Sequence, residues 1–326
     1  MAQSDDSIAG LLQAATEYAA ATAAHCIQNG DEDHLEDRAR ESMAVALAKI
    51  PGATRLVLGG GDAGSTTLVD GALLGRTTDS DPSGDLAIDP AEGTTFLQPG
   101  LTNAMAVAAL VEPNGFMNPG PALYMEKLVL PPEARGKVDP SASVPERLQQ
   151  LSDALRKPVA RLTVYVLEKT RHNALIDAVR SAGASVALYP AGDIAGALLA
   201  GAGGGDIDAL MGTGGVPEGF LAAAAVKCLG GEFLGRMDPQ LPSEHAAMRA
   251  EGRSTTQWHD QDKLVPGYVL GFSATGITSG LLLSGATVQQ TEVALETLTL
   301  SSGRSSWEKQ PSILSAWPGQ EGPGGA

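Results

Sequence analysis

The residues with the most chemistry in them stand close together, in the stretch Asp85-Leu86-Ala87-Ile88-Asp89-Pro90-Ala91-Glu92-Gly93-Thr94-Thr95. The apolar residues 86–88 read as a short buried strand that breaks at Pro90 and Gly93. Asp89 and Glu92 then sit around a proline turn and can aim oxygens at one point. Hard divalent cations such as Mg²⁺ take oxygen clusters of this kind, usually beside substrate phosphates. Gly93 lets the backbone approach a ligand closely. Thr94 offers a hydroxyl where a helix can begin.

Further polar residues close predicted strands in the second half of the chain. Lys169, Thr170, Arg171 and His172 follow a strand at 162–167, Asp193 follows one at 185–189, and Glu218 follows one at 207–211. Helices are predicted at 145–156, 173–182, 194–200 and 220–229. Strand, loop and helix in repeated succession imply a largely parallel sheet, and such sheets bind ligands beyond the carboxyl ends of their strands. Carboxylates that hold a metal, a hydroxyl and a separate cationic pocket suit phosphoryl hydrolysis. Arg171 can hold a phosphate bidentately, and Asp193 can accept sugar hydroxyls. Taken singly, each residue has a plainer reading. Asp89-Pro90 is a strand end, Arg171 a surface ion pair worth about 0–1 kcal/mol, Glu218 a first-turn helix acid, and His172 a structural residue.

The elements before these are clear in outline. Apolar residues from Ile8 to Cys26 recur at helical spacing up to Gly30, and a second helix carries Leu35, Ala39, Met43, Leu47 and Ile50 on one face. The acidic run 31–37 between them reads first as a solvated helix start, where carboxylates complement the dipole, with a source of metal ligands as the alternative. A short strand at 56–58 runs into Gly59-Gly60-Gly61-Asp62-Ala63-Gly64-Ser65. This loop can cradle phosphate through backbone N–H groups, but it lacks both the P-loop ending and the dinucleotide fingerprint. A strand is expected at 103–111, a hairpin turn at Asn114-Gly115, and strand material at Phe116 and 126–130. The Pro-, Gly- and Ser-rich stretch 131–144 reads as a hinge. Residues 237–262 read as a less patterned insertion, 267–275 and 288–300 as strands, and the end as a flexible tail.

The chain has 326 residues and a net charge of −16, which argues against nucleic acid or an anionic membrane as partner. Forty glycines and 4% aromatics suit tight turns and close helix–sheet packing. The two cysteines, Cys26 and Cys228, read as buried free thiols. With an acidic start and no apolar run long enough to span a membrane, a cytoplasmic protein is expected.

Six stretches together resemble a known family: 89–94, 123–128, Lys169-Thr170-Arg171-His172, Ala191-Gly192-Asp193, 214–219 and 272–278. They resemble the class II fructose-1,6-bisphosphatases of the bacterial GlpX type, within the lithium-sensitive, metal-dependent sugar phosphatases. The resemblance implies a layered α/β/α/β/α fold. The halves are expected as a metal-binding half at 1–140 and a substrate-binding half at 141–302, followed by the Ser-, Gly- and Pro-rich tail at 303–326. Mg²⁺ or Mn²⁺ is implied as cofactor, a phosphorylated sugar as substrate, and a homo-oligomer, dimer or tetramer, as the assembly. By position, the metal ligands fall on Glu36, Gly60, Asp89, Glu92 and Glu218. The substrate contacts fall on Gly93, Thr94, Tyr124, Lys169, Thr170, Arg171, Ala191, Gly192, Asp193 and Gly215, with Thr94 beside the attacking water and Asp89, Glu92 and Thr94 as the catalytic set.

The departures from the family pattern are specific. Gly60 stands where the family has a metal-binding glutamate, Gly64 where it has a further acid, and Glu32 where it has a lysine. Ala191 removes one carboxylate from the sugar clamp. Asp62 lies two residues from the gap at Gly60. The expected function is metal-dependent hydrolysis of a sugar phosphate, fructose 1,6-bisphosphate by family default or a diverged sugar or cyclitol phosphate. The alternative is a non-catalytic relative that binds a sugar phosphate or a partner through an eroded metal site.

Overall fold

The computed structural model describes residues 7–60, 68–94, 103–303 and 308–320. The chain divides into two compact units, Met1–Phe116 with Gly267–Ala326, and Met117–Pro266. In chain order the first unit opens with α1 (Ile8–Asn29), α2 (Leu35–Leu47), β1 (Thr54–Leu58), β2 (Leu73–Leu74), β3 (Asp85–Glu92) and β4 (Met105–Val111). The second unit holds β5 (Tyr124–Leu130), α3 (Val144–Leu155), β6 (Thr163–Leu167), α4 (Asn173–Ser181), β7 (Ser185–Tyr189), α5 (Asp193–Ala202) and β8 (Ala209–Gly215). It continues with α6 (Val216–Leu229), β9 (Glu232–Met237), α7 (Pro242–Ala250), β10 (His259–Asp260) and α8 (Gln261–Leu264). The first unit resumes with β11 (Val269–Gly276), β12 (Thr287–Gln289), β13 (Glu292–Leu300) and β14 (Glu308–Leu314). Each unit is a mixed sheet with helices, so the α/β class expected is the one observed.

In the first unit the described strands form one sheet in the order β12-β13-β11-β4-β3-β1-β2, with β14 added beside β13. β1 and β3 are parallel and the β3–β4 and β4–β11 pairs antiparallel. Helix α1 starts where the Ser7 hydroxyl accepts from the Gly10 N–H and ends at left-handed Gly30, whose N–H caps the last carbonyls. Its buried alanines, Ala15, Ala19, Ala20 and Ala23, let it lie close to its neighbours, and Leu12, Met43, Leu47, Leu56, Leu86 and Ile88 fill the core. A polar chain runs through this core. The Thr16 hydroxyl meets Ser273 at 2.7 Å and Thr275 at 2.8 Å, Thr275 meets Thr297, and Thr297 and Ser312 donate to the buried Glu17 carboxylate.

In the second unit the sheet order is β10-β9-β5-β8-β6-β7. β6 is parallel to β7 and β8, as the strand–helix succession predicts, while β5 runs antiparallel between β8 and β9. Leu128, Leu148, Leu151, Leu162, Val164, Val166 and Val179 form a core of this unit.

Several expectations are corrected. The stretch 131–144 is not a hinge between halves but lies inside the second unit, because β5 just before it is a central strand of that unit's sheet. Asn114-Gly115 makes no hairpin: β4 pairs with β3 and β11, and the chain leaves for the second unit instead. β3 does not stop at Pro90 but runs on to Glu92. Residues 232–262 are regular, with β9, α7, β10 and α8. The expected flexible tail is structured where described. β14 pairs with β13 over seven residues, and Trp317 is buried in the first unit's core. The Pro318 carbonyl accepts from Thr22 and Ser42, and that of Gly319 from Arg38. No helix among the described residues is long and apolar enough to cross a membrane.

Candidate active site

In the first unit the site is built at the carboxyl ends of the parallel strands β1 and β3. Asp89 stands opposite Val107 and Glu92 opposite Met105, so three residue steps on β3 match two on β4. This is a β-bulge, centred on Pro90-Ala91, and it has a chemical consequence. Residues three apart on a regular strand point to opposite faces. With one extra residue absorbed, Asp89 and Glu92 share the face that Val107 and Met105 share. Proline is tolerated here because a bulge needs no ladder donor at that residue. The Asp89 carboxylate accepts from the Ala91 N–H at 3.1 Å, which braces the bulge from inside. Glu92 is buried. Gly93 then turns the chain with φ +81°, and the Thr94 hydroxyl donates to the Ala91 carbonyl at 2.7 Å.

Beside this edge, Glu36 stands exposed in the first turn of α2 and pairs with Arg40 at 2.8 Å. The other arm of Arg40 donates to the Gly59 carbonyl at 2.7 Å. Arg40 therefore ties the expected ligand Glu36 to the loop that follows β1, a role nothing in the sequence pattern announces. The Gly60 N–H donates to Asp70 at 2.8 Å. A Cβ at Gly60 would lie 2.6 Å from that Asp70 oxygen and 2.3 Å from the Asp70 nitrogen. An acidic side chain at this position thus requires the 69–70 segment to move, and Asp70 fills the space instead. Asp62 and Gly64 lie outside the described residues.

In the second unit the carboxyl ends of the parallel β6, β7 and β8 share one edge, and antiparallel β5 brings Tyr124 to it opposite Gly215. Lys169, Thr170, Arg171, Ala191, Gly192, Asp193 and Glu218 follow those strand ends, and Gly215 is the last residue of β8. Arg171 donates through Nε and Nη2 to the Thr213 carbonyl at 3.0 and 2.8 Å, and its guanidinium lies 5.4 Å from the centroid of the Tyr124 ring. Burial, and then the Arg171 charge, pushes the Lys169 ammonium below its ordinary pKa. A bound anion opposes both effects. Tyr165, fully buried, donates to the carbonyls of Ala191 and Gly192 and so pins the turn in which left-handed Gly192 precedes α5.

Asp193 is buried and forms an ion pair with Lys127 of β5, which is itself only 2% exposed. Burying either charge alone would cost several kcal/mol, so the pair stands or falls together. Lys127 belongs to a strand that reads from sequence as plain sheet, and its place in the family stretch 123–128 gave it no role of its own. The glycines of 214–215 have a clear reason. A Cβ on Gly214 would lie 2.1 Å from the Asp193 carboxylate, and one on Gly215 2.0 Å from that of Glu218. Glu218, in the first turn of α6, has an Oε2 atom that is buried and has no hydrogen-bond partner among the described residues. Nearby, Glu126 of β5 pairs with both Arg236 and Arg147, whose guanidiniums lie 5.2 and 5.7 Å from the Trp258 ring centroid.

Carboxylate oxygens are the donors a hard divalent cation takes: the first unit offers those of Asp89 and Glu92, and the second offers Glu218, whose Oε2 is a buried acceptor with no donor among the described residues. Within either unit, among the described residues, no three acids, histidines or cysteines converge as a cluster.

Residues 7–309 match the family of bacterial, glpX-encoded fructose-1,6-bisphosphatases. The chain belongs to that family. Among the relatives of this bisphosphatase family, a protein of Synechococcus sp. (strain JA-3-3Ab) is 36% identical over 310 residues, covering 88% of this chain and 89% of its own. One of Synechococcus elongatus is 34% identical over 310 residues, covering 88% and 90%. Both are named D-fructose 1,6-bisphosphatase class 2/sedoheptulose 1,7-bisphosphatase. A protein of Acaryochloris marina with the same designation, numbered 2, is 35% identical over 305 residues, 86% of this chain and 87% of its own. The family match extends over both units, so the bulged carboxylates and the basic loop belong to one bisphosphatase-like chain.

Proposed function

We propose that this chain hydrolyses a phosphate monoester of a phosphorylated sugar, with fructose 1,6-bisphosphate as the default substrate, and uses Mg²⁺ or Mn²⁺. The observation that carries the reading is the gathering at the second unit's sheet edge. There an arginine braced over an aromatic ring and a partly desolvated lysine accompany a buried carboxylate oxygen with no donor.

In this reading Asp89, Glu92 and Glu218 hold divalent metal, with Glu36 a further oxygen donor beside the Gly59–Gly60 loop. When bound, such a metal neutralises phosphate charge and lowers the pKa of a bound water. The protein's own groups do the rest. The Thr94 proton is spent on the Ala91 carbonyl. What Thr94 offers a neighbouring water is therefore its lone pairs, which orient that water by accepting a hydrogen bond. Lys169 and Arg171 bind the phosphate of the sugar. Arg171 keeps its Nη1, which makes no hydrogen bond among the described residues, for that purpose. Thr170, Tyr124, Gly93 and Gly215 flank the substrate. Ala191, Gly192 and Asp193 meet the sugar, with Asp193 bringing its Lys127 counter-ion along. The clamp carries one carboxylate, which leaves room for sugars other than fructose. We place the protein in the cytoplasm, on its two buried free thiols, and as a homo-oligomer, dimer or tetramer, on the family resemblance.

Phosphate release from a panel of sugar phosphates with Mn²⁺ tests the reading. Turnover of at least one bisphosphate is expected, and its absence across the panel would overturn it. The alternative, a non-catalytic relative, has no support from the family match.

A further inference from the structure

His172 is buried, 3% exposed, directly after the basic loop, and the proposed function gives it no part. Its surroundings fix its state. The Thr213 N–H donates to Nε2 at 2.8 Å, so Nε2 bears no proton. The proton therefore sits on Nδ1, which lies 2.7 Å from the Leu167 carbonyl and donates to it. The ring packs against β8 so closely that a Cβ on Gly212 would lie 3.0 Å from Nε2. Burial pushes the imidazole below its ordinary pKa, in keeping with a neutral ring. The loop is closed by the His172 N–H donating to the Lys169 carbonyl at 2.8 Å.

Thr213 is held by three groups. Its N–H is held by His172, its carbonyl receives both Arg171 bonds, and its hydroxyl donates to Asp238 at 2.6 Å. The carbonyl that aims the guanidinium is thus set by a residue whose N–H the imidazole fixes. Losing that bond leaves the Thr213 backbone on this edge of β8 tied only to Arg171, so the carbonyl that aims the guanidinium is less firmly set.

We propose that His172 is a positioning residue for phosphate binding, acting through the Thr213 backbone on Arg171. The inference rests on the reading that Arg171 binds phosphate. Two substitutions separate the two imidazole bonds. In His172→Asn the amide nitrogen stands near Nδ1 and keeps the Leu167 bond while the Thr213 bond is lost. In His172→Gln the amide oxygen stands near Nε2 and keeps the Thr213 bond while the Leu167 bond is lost. Each variant gives up one buried backbone bond, so a merely structural role moves both alike.

The test is an NMR titration of wild type and both variants with inorganic phosphate, without added metal. His172→Asn is expected to weaken phosphate binding by about tenfold or more, and His172→Gln to restore it to within about threefold of wild type. In the wild type, ¹⁵N shifts should report a protonated Nδ1 and an unprotonated Nε2. If the wild type binds no phosphate at all, the reading of the basic loop fails and the inference with it. If the wild type binds and His172→Asn binds equally well, or if Nε2 carries the proton, the inference alone is overturned.

Discussion

Asp89, Glu92 and Glu218 were readable as candidate ligands because acids recur together at the ends of several predicted strands, and the family motifs fixed their order. Their partners were not readable. Lys127 under Asp193 and the bond from Arg40 to the Gly59 carbonyl are pairings between residues far apart in the chain that no local pattern encodes, although Glu36–Arg40 itself is a local i,i+4 pair. Gly60 looked like a lost ligand, and the structure adds that Asp70 occupies the space. At this scale Asp89→Ala should lower phosphate release by about 10²–10³-fold, if its loss resembles that of one transition-state stabiliser elsewhere. Steady-state assays at saturating Mn²⁺ check this. Lys127→Met should destabilise the protein by about 3–5 kcal/mol, because it leaves Asp193 buried without its cation. Denaturant unfolding gives the value, and the double variant Lys127→Met, Asp193→Leu should recover much of the loss.

At the scale of elements, helices α1, α3, α4 and α6 and strand β7 fall close to their expected places, because apolar period and turn residues agree there. β3 shows what periodicity misses. A proline ordinarily ends a strand, yet a bulge accommodates it, and only the β4 register shows which face the two carboxylates share. Inserting a second alanine beside Ala91 adds a residue step that the bulge does not absorb and should turn Glu92 to the face opposite Asp89. The predicted result is loss of the Mn²⁺-induced rise in melting temperature, measured by scanning calorimetry, in a protein that still unfolds cooperatively. β9 was missed because Gly235 and Arg236 interrupt its apolar run, although its pairing with β5 needs no regular alternation.

Across the whole molecule, the sequence suggested consecutive halves, whereas the first unit closes only when Gly267–Ala326 returns to it. The reason is topological. β11 is the neighbour of β4, a pairing between residues far apart in the chain, and local composition says nothing about such partners. The end of the chain also looked frayed by its Ser, Gly and Pro content. One buried aromatic outweighs that composition. Trp317 sits at 6% exposure, edge-on to His25 with ring centroids 6.2 Å apart. Trp317→Ala should cost about 3–5 kcal/mol, as for other large-to-small core changes, and a urea midpoint shift would report it.

The central claim is that the carboxylates of Asp89, Glu92 and Glu218 hold the metal of a sugar phosphatase. Anomalous diffraction at the manganese edge, from crystals soaked with Mn²⁺ and a phosphorylated sugar, tests it most directly. The account predicts manganese peaks within bonding distance of all three carboxylates. Ordered manganese elsewhere, or none beside these residues when the sugar phosphate is bound, would contradict it.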